Sequence, residues 1–260
     1  MSLAETLPPL SARRFTLATD LDGTFLGGAE EDRTRLYRWI EANRESVGLI
    51  FVTGRDPGFI ARLCGGGDAP WPDYVVGDVG TSVWEVRPGG TPPLQPIEAI
   101  EEEIAARWGA SGALVRGALY GHPGLTLQDT PFRYRISYDL DPERFHPGAM
   151  GKVEALGLDW LISDDRFFDV LPKGVSKGPT LLRLLEWLGV PKARAMAAGD
   201  TLNDLSMLAS GLPAVAVGGS EPALIKALTG RDTVHLAEAK GAAGVAEAIR
   251  AFGLHEPDAA

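Results

Sequence analysis

An apolar run at residues 15–18, with Thr16 inside it, leads directly into Asp20-Leu21-Asp22-Gly23-Thr24. Near-continuous apolar runs of this length read as strands buried on both faces, the mark of a parallel sheet. Gly23 and Thr24 then turn the chain. Such a strand end holds both carboxyl groups at the carboxyl edge of the sheet, where open α/β folds bind ligands. Like charges this close are costly in a buried site unless a cation or a proton offsets them. The pair therefore reads as a Mg²⁺ site in which one carboxylate is also a nucleophile. An Asp-rich turn is the plainer alternative. A calcium loop fits less well, because the further alternating oxygen ligands and the distal Glu are missing.

The rhythm that follows supports a parallel sheet. Residues 31–46 carry Leu36, Trp39 and Ile40 at helical spacing, and residues 48–52 form a second buried strand ending in Thr53-Gly54-Arg55. Pro57 opens another helix through Cys64, stopped by the run Gly65-Gly66-Gly67. Tyr74-Val75-Val76 is a third short strand, followed by Asp78-Val79-Gly80-Thr81. A β-α-β-α-β order implies right-handed crossovers in a parallel sheet.

After Thr81 the character changes. Residues 82–86 alternate, residues 96–108 read as an acidic amphipathic helix, and residues 133–140 alternate strictly, as a half-exposed antiparallel strand would. A helix is expected over residues 142–156, then strands near 158–163 and 166–171 joined by Asp164-Asp165. From Lys177 the βα rhythm returns, with a small-residue strand at 193–198 ending in Gly199-Asp200-Thr201-Leu202-Asn203-Asp204. The expected organisation is a Rossmann-like α/β core made of residues 1–81 and 167–260, with an α+β module inserted at 82–166.

Bulk properties narrow the partners. A net charge of −10 over 260 residues argues against nucleic acid or an anionic membrane as a main partner. No apolar run is long enough to span a bilayer, and no signal peptide is read at the start. The single Cys64 excludes an intrachain disulfide and fits a reducing compartment, so the expectation is a cytoplasmic monomer or small homo-oligomer. Cys64 itself reads as a small buried hydrophobe. The four histidines show no zinc-like spacing.

Four features thus fall at strand ends or helix starts of one sheet, and each suits phosphoryl transfer. An aspartate can attack phosphorus and form an acyl phosphate, splitting one hard displacement into two. Asp20, the backbone carbonyl of Asp22, and Asp200 would fill the protein positions around Mg²⁺. Thr53 with the amides of Gly54 and Arg55 can hold phosphate oxygens, and Lys177 adds a point charge. Asp22 can protonate the leaving oxygen and then deprotonate water. Asn203 would meet the substrate, and Asn203 and Asp204 could orient the metal's surroundings or Lys177. Lys173 competes for the lysine role but reads as a solvated turn residue.

Together these residues resemble the haloacid dehalogenase superfamily of aspartate-nucleophile phosphatases over nearly the whole chain. Asp20-Leu21-Asp22-Gly23-Thr24 is similar to its first motif, Val52-Thr53-Gly54-Arg55 to its second, Lys177-Gly178 to its third and Gly199-Asp200-Thr201-Leu202-Asn203-Asp204 to its fourth. The insert's position resembles the type-two cap, which covers the site and selects the leaving group. Within that branch Asp78-Val79-Gly80-Thr81 and Tyr134-Arg135-Ile136-Ser137-Tyr138 look like segments of sucrose-phosphate phosphatases and related sugar-phosphate phosphatases. Gly27-Gly28 departs from the more polar segment expected of a sucrose-phosphate enzyme. The resemblance implies a Mg²⁺-dependent phosphatase acting on a small phosphorylated sugar of the disaccharide type. Arg133 and Arg135 are the cap's candidate substrate-binding residues.

Three rivals stand beside this reading. A sugar phosphomutase would use the same four motifs, with Arg133 and Arg135 free to anchor a second phosphate. Gly174-Val175-Ser176-Lys177-Gly178 is formally a nucleophile elbow, with Asp204 and His235 following in hydrolase order. A non-catalytic sugar-phosphate-binding module is the third, but intact Asp20, Asp22, Lys177 and Asp200 argue against it, since binding alone does not require a nucleophile.

Overall fold

The computed structural model describes residues 7–130 and 132–256. The first half of the core runs β1 (Phe15–Thr19), α1 (Glu30–Ala42), β2 (Val47–Val52), α2 (Pro57–Gly65) and β3 (Tyr74–Gly77). Next come β4 (Ser82–Val86), β5 (Leu94–Pro96) and α3 (Glu98–Trp108). Then follow α4 (Ser111–Ala118), β6 (Leu125–Leu127), β7 (Ile136–Leu140), α5 (Gly148–Ala155), β8 (Asp159–Ser163) and β9 (Phe167–Leu171). The chain closes with α6 (Lys177–Leu188), β10 (Ala195–Gly199), α7 (Leu205–Leu208), β11 (Ala214–Ala216), α8 (Pro222–Leu228), β12 (Val234–Leu236) and α9 (Gly241–Ala251).

Eight strands form one sheet in the order β12-β11-β10-β1-β2-β3-β4-β5. Pairing is parallel from β12 through β3 and antiparallel for β4 and β5. The centre of this sheet is continuously buried, which is why β1 and β2 carry apolar residues on both faces. On one face Leu17, Leu49 and Met196 pack beneath α1, α2 and α9. On the other, Ala18, Ile50 and Ala197 pack beneath α3, α6, α7 and α8. The register decides where the chemistry goes. Thr19 pairs with Phe51 of β2 and with Ala198 of β10, so the three strands end level. Asp20, Thr53 and Asp200 therefore emerge at one edge.

Four further strands form an antiparallel sheet in the order β6-β7-β9-β8. Ile136, Tyr138, Leu140, Phe168 and Val170 face its own core with α4 and α5. The alternate residues Ser137 and Asp169 face the other way, towards the large sheet's carboxyl edge.

Several expectations need correction. β4 and β5 belong to the large sheet, and α3 packs on it through Ile100 and Ile104, so none of them is part of the insert. β9 pairs with β7 and β8, so it belongs to the insert and not to the core. The insert drawn at residues 82–166 is accordingly moved, with boundaries that we place near Gly109 and Pro172. Alternation in β4 was a true sign of an antiparallel strand, but a local pattern does not say which sheet receives it. The strand read at residues 133–140 begins only at Ile136. The helix read at 142–156 starts at Gly148, after Pro147, because a residue before proline is driven out of the helical region. Among the described residues no helix is long and apolar enough to cross a membrane.

Candidate active site

Asp20 follows β1 in extended conformation and is 6% exposed. The next residues form one wide turn at Leu21–Phe25, in which the Leu26 amide donates to the Leu21 carbonyl. Gly23 carries φ +79° inside this turn, and a Cβ there would lie 2.1 Å from Oδ2 of Asp200. Only glycine meets both demands. The turn brings the Thr24 hydroxyl to donate to Oδ1 of Asp200 at 2.7 Å.

Lys177 is the first residue of α6 and is 1% exposed. A cation at a helix N-terminus opposes the helix dipole, so it needs strong compensation. Its ammonium donates to Oδ1 of Asp20 at 2.7 Å, to Oδ1 of Asp204 at 2.6 Å and to Oδ1 of Asn203 at 2.6 Å. Those contacts use all the donors an ammonium has. Burial alone would lower the Lys177 pKa, but Asp20 and Asp204 outweigh it and raise it. Burial is also the largest influence on Asp20, and it holds that carboxyl well above the usual range despite Lys177. Lys173 is 72% exposed and pairs with Asp159, as a surface turn lysine should.

Asp204 is fully buried, and its second oxygen accepts from the amides of Asp200 and Thr201 at 2.9 and 3.0 Å. It pins the 200–204 turn and Lys177 together. Asp20, Asp200 and Asp204 bring oxygens within 4.8 Å of one another, a grouping able to hold a metal ion. With both Asp204 oxygens spent, Asp20 and Asp200 are the carboxylates left to face an ion. Burial pushes the Asp200 carboxyl up to about 6, Thr24 opposing and Asp204 adding to it. An all-oxygen donor set whose buried carboxylates repel one another suits a hard divalent cation.

Asp22 lies at the cleft mouth, 55% exposed, gripped by the Arg55 fork at 2.8 and 3.0 Å. Thr53 is buried, and its hydroxyl oxygen accepts from the Arg55 amide at 3.1 Å. Gly54 turns its carbonyl towards the second sheet, where Nη2 of Arg135 donates to it at 3.2 Å.

Asp20, Asp22, Gly54, Arg55, Arg135, Asp200 and Asn203 line one cleft of about 630 Å³ between the two sheets. That size lies within the range of small-molecule sites. Arg133 is not brought there. It pairs with Glu101 of α3 at 2.8 Å and lies over the Trp84 and Tyr134 rings. The far wall is built from cap residues that sequence reading missed, including Gln128, Asp164, Arg166 and Phe167. Only Asp164-Asp165 gave a signal: both have positive φ, as the tip of a two-residue hairpin requires.

The nucleophile elbow is not assembled. Ser176 precedes α6 in a turn, Asp204 is committed to Lys177, and His235 on the edge strand β12 binds Glu247 at 2.7 Å. Cys64 is buried, and burial pushes its thiol up to about 12.

Sequence comparison agrees with this geometry. The sucrose-6F-phosphate phosphohydrolase family matches residues 13–253. The chain belongs to that family. A mannosylfructose-phosphate phosphatase of Agrobacterium fabrum is 28% identical over 250 residues, which cover 92% of this chain and 97% of the relative. A glucosylglycerol-phosphate synthase of Pseudomonas anguilliseptica is 41% identical over 239 residues, 92% of this chain. This chain spans only 31% of the synthase's length. The fold is that of the sucrose-phosphatase of Synechocystis sp. PCC6803 solved with sucrose and phosphate, with TM-score 0.82 at 23% identity, covering 93% of this chain and 98% of that one. Haloacid dehalogenase-like hydrolases share it more distantly.

Proposed function

We propose that this protein is a Mg²⁺-dependent phosphatase that removes phosphate from a small phosphorylated glycoside through an aspartyl-phosphate intermediate. The observation that carries the reading is the buried Asp20 carboxylate, bound by Lys177 and facing the cleft two residues from Asp22. Asp20 attacks phosphorus with its free oxygen, while Lys177, donating to Oδ1, opposes the effect of burial and favours the ionised form. The Thr53 hydroxyl and neighbouring amides receive the phosphate oxygens. Asp22 gives a proton to the leaving oxygen and takes one from the attacking water, once its fork with Arg55 loosens. Asp20, Asp200 and the Asp22 carbonyl would hold Mg²⁺, which when bound supplies charge stabilisation for the transferring phosphoryl group.

The substrate class follows from the relatives' names combined with the cleft. Sucrose 6F-phosphate, mannosylfructose phosphate and glucosylglycerol phosphate each join a sugar to a phosphorylated partner. The cap wall, with Gln128, Asp164 and Arg166, offers donors and acceptors suited to sugar hydroxyls. A phosphomutase would need a second phosphate anchor. Arg133 is tied to Glu101 and Arg135 to Gly54 and Asp169, which favours hydrolysis. The test is acid quenching of the enzyme during turnover of a radiophosphate-labelled glycoside phosphate. Label should appear on the peptide containing Asp20, and its absence there under single-turnover conditions would contradict the covalent step.

A further inference from the structure

Arg135 stands where the cap meets the phosphate loop, in the segment entering β7. It is 5% exposed, and its guanidinium packs over the Phe132 ring, 3.5 Å from the centroid. Nη1 lies 3.6 Å from Oδ1 of Asp169, a carboxylate that also accepts from the Ser137 hydroxyl. Nη2 donates to the Gly54 carbonyl. Nε has no acceptor, and neither Asp78 nor Asp56, the other carboxylates felt by this charge, closes a fork on it. A guanidinium this buried ordinarily closes a two-pronged contact with a carboxylate. Here the shorter contact goes to a backbone oxygen in the loop after β2.

That oxygen matters because a peptide unit is planar. The Gly54 carbonyl and the Arg55 amide belong to one plane, which is held at both ends. Arg135 grips the oxygen, and Oγ1 of Thr53 grips the N–H at 3.1 Å. Through that N–H the plane also holds Oγ1 of Thr53, the buried residue that opens the loop after β2. Arg135 touches none of the reacting groups, yet the direction of Thr53 depends on the plane it fixes.

We infer that Arg135 is a positioning residue: with the cap seated, its bond to the Gly54 carbonyl fixes the 54–55 peptide plane and, through the Arg55 amide, the place of the Thr53 hydroxyl for phosphate. The inference rests on the phosphatase reading above. Arg133, two residues earlier, pairs with Glu101 of α3, so the segment entering β7 meets the large sheet's side at both arginines. Seating of the cap is thereby transmitted to the phosphate site through one peptide plane.

The test compares wild type with Arg135→Met and Arg135→Lys, using steady-state kinetics on a glycoside phosphate and amide exchange of substrate-free protein. Misplacing a reacting geometry by a fraction of an ångström is expected to lower kcat about tenfold or more while KM stays within about threefold. Arg135→Lys, which keeps the charge and one donor, should recover part of kcat. The Arg55 amide should exchange about tenfold faster in Arg135→Met while distant strands keep their protection. A rise in KM with kcat unchanged would make Arg135 a substrate contact and overturn the inference. Unchanged exchange at Arg55, or a loss of protection spread evenly over the cap, would also overturn it. If Arg135→Met does not fold, Arg135→Lys carries both readouts. An inactive wild type would instead defeat the phosphatase reading, and the exchange arm keeps the two failures apart.

Discussion

The Lys177 ammonium lies 2.7 Å from Oδ1 of Asp20, with both groups buried at the carboxyl edge of the large sheet. One cation therefore compensates the Asp20 carboxylate, the turn carboxylate Asp204 and the amide oxygen of Asn203. Replacing Lys177 with Met leaves two buried carboxylates without their partner. Breaking such a pair costs about 3–5 kcal/mol, so Lys177→Met should lower thermal stability markedly as well as abolish turnover. Calorimetry checks the first part. A variant with wild-type Tm would show that the ammonium is not needed for this packing.

Asp22 behaves differently, because it and Arg55 are each about half exposed. Asp22→Ala should leave the Tm nearly unchanged. Its kcat should fall about 10²–10⁴-fold, the usual contribution of general acid–base help. The loss should be smallest for esters of good leaving groups, which do not require protonation. Equal losses for phenolic and sugar esters would argue that Asp22 serves only the metal.

Asp200 links metal binding to pH. Its carboxyl is raised from an ordinary 3.8 to about 6 by burial and by Asp204, despite the Thr24 hydroxyl. A raised carboxyl binds its proton more tightly in the folded state. In metal-free protein this contributes stability that is present below the unfolded value and is lost as pH rises through about 6. A divalent cation needs the ionised form, so the Tm gain from Mg²⁺ should grow as pH increases from 5 to 7. Thermal scans with Mg²⁺ or chelator at each pH measure this. A gain independent of pH would contradict the role of Asp200.

The core was legible because each chemical residue sits in a short segment whose strand or turn is encoded locally. Asp20, Thr53 and Asp200 each follow an apolar run, and the parallel register then places them together. Their internal division of labour was not legible. Nothing in Arg55 says that it grips Asp22, and Asn203 and Asp204 allowed either Lys177 or the metal's surroundings as partner where the structure gives both to Lys177. The cap was harder. α4 contains Gly112 and Gly117, poor helix formers, and β6 has three residues, too few to show alternation. Arg133 and Arg135 look equivalent in sequence, but one faces α3 and the other the phosphate loop. That difference depends on how two sheets meet, which no local pattern carries.

The most direct measurement is phosphate release by wild type and Asp20→Asn, with Mg²⁺, across matched substrates. The panel is sucrose 6-phosphate, mannosylfructose phosphate, glucosylglycerol phosphate, glucose 6-phosphate, fructose 6-phosphate and phosphoserine. The account predicts the highest kcat/KM on a phosphorylated glycoside, because contacts to the remote sugar lower the barrier by seating the cap. It also predicts a correctly folded Asp20→Asn variant without turnover. A preference for phosphoserine, or near wild-type activity of Asp20→Asn after deamidation is excluded, would contradict it.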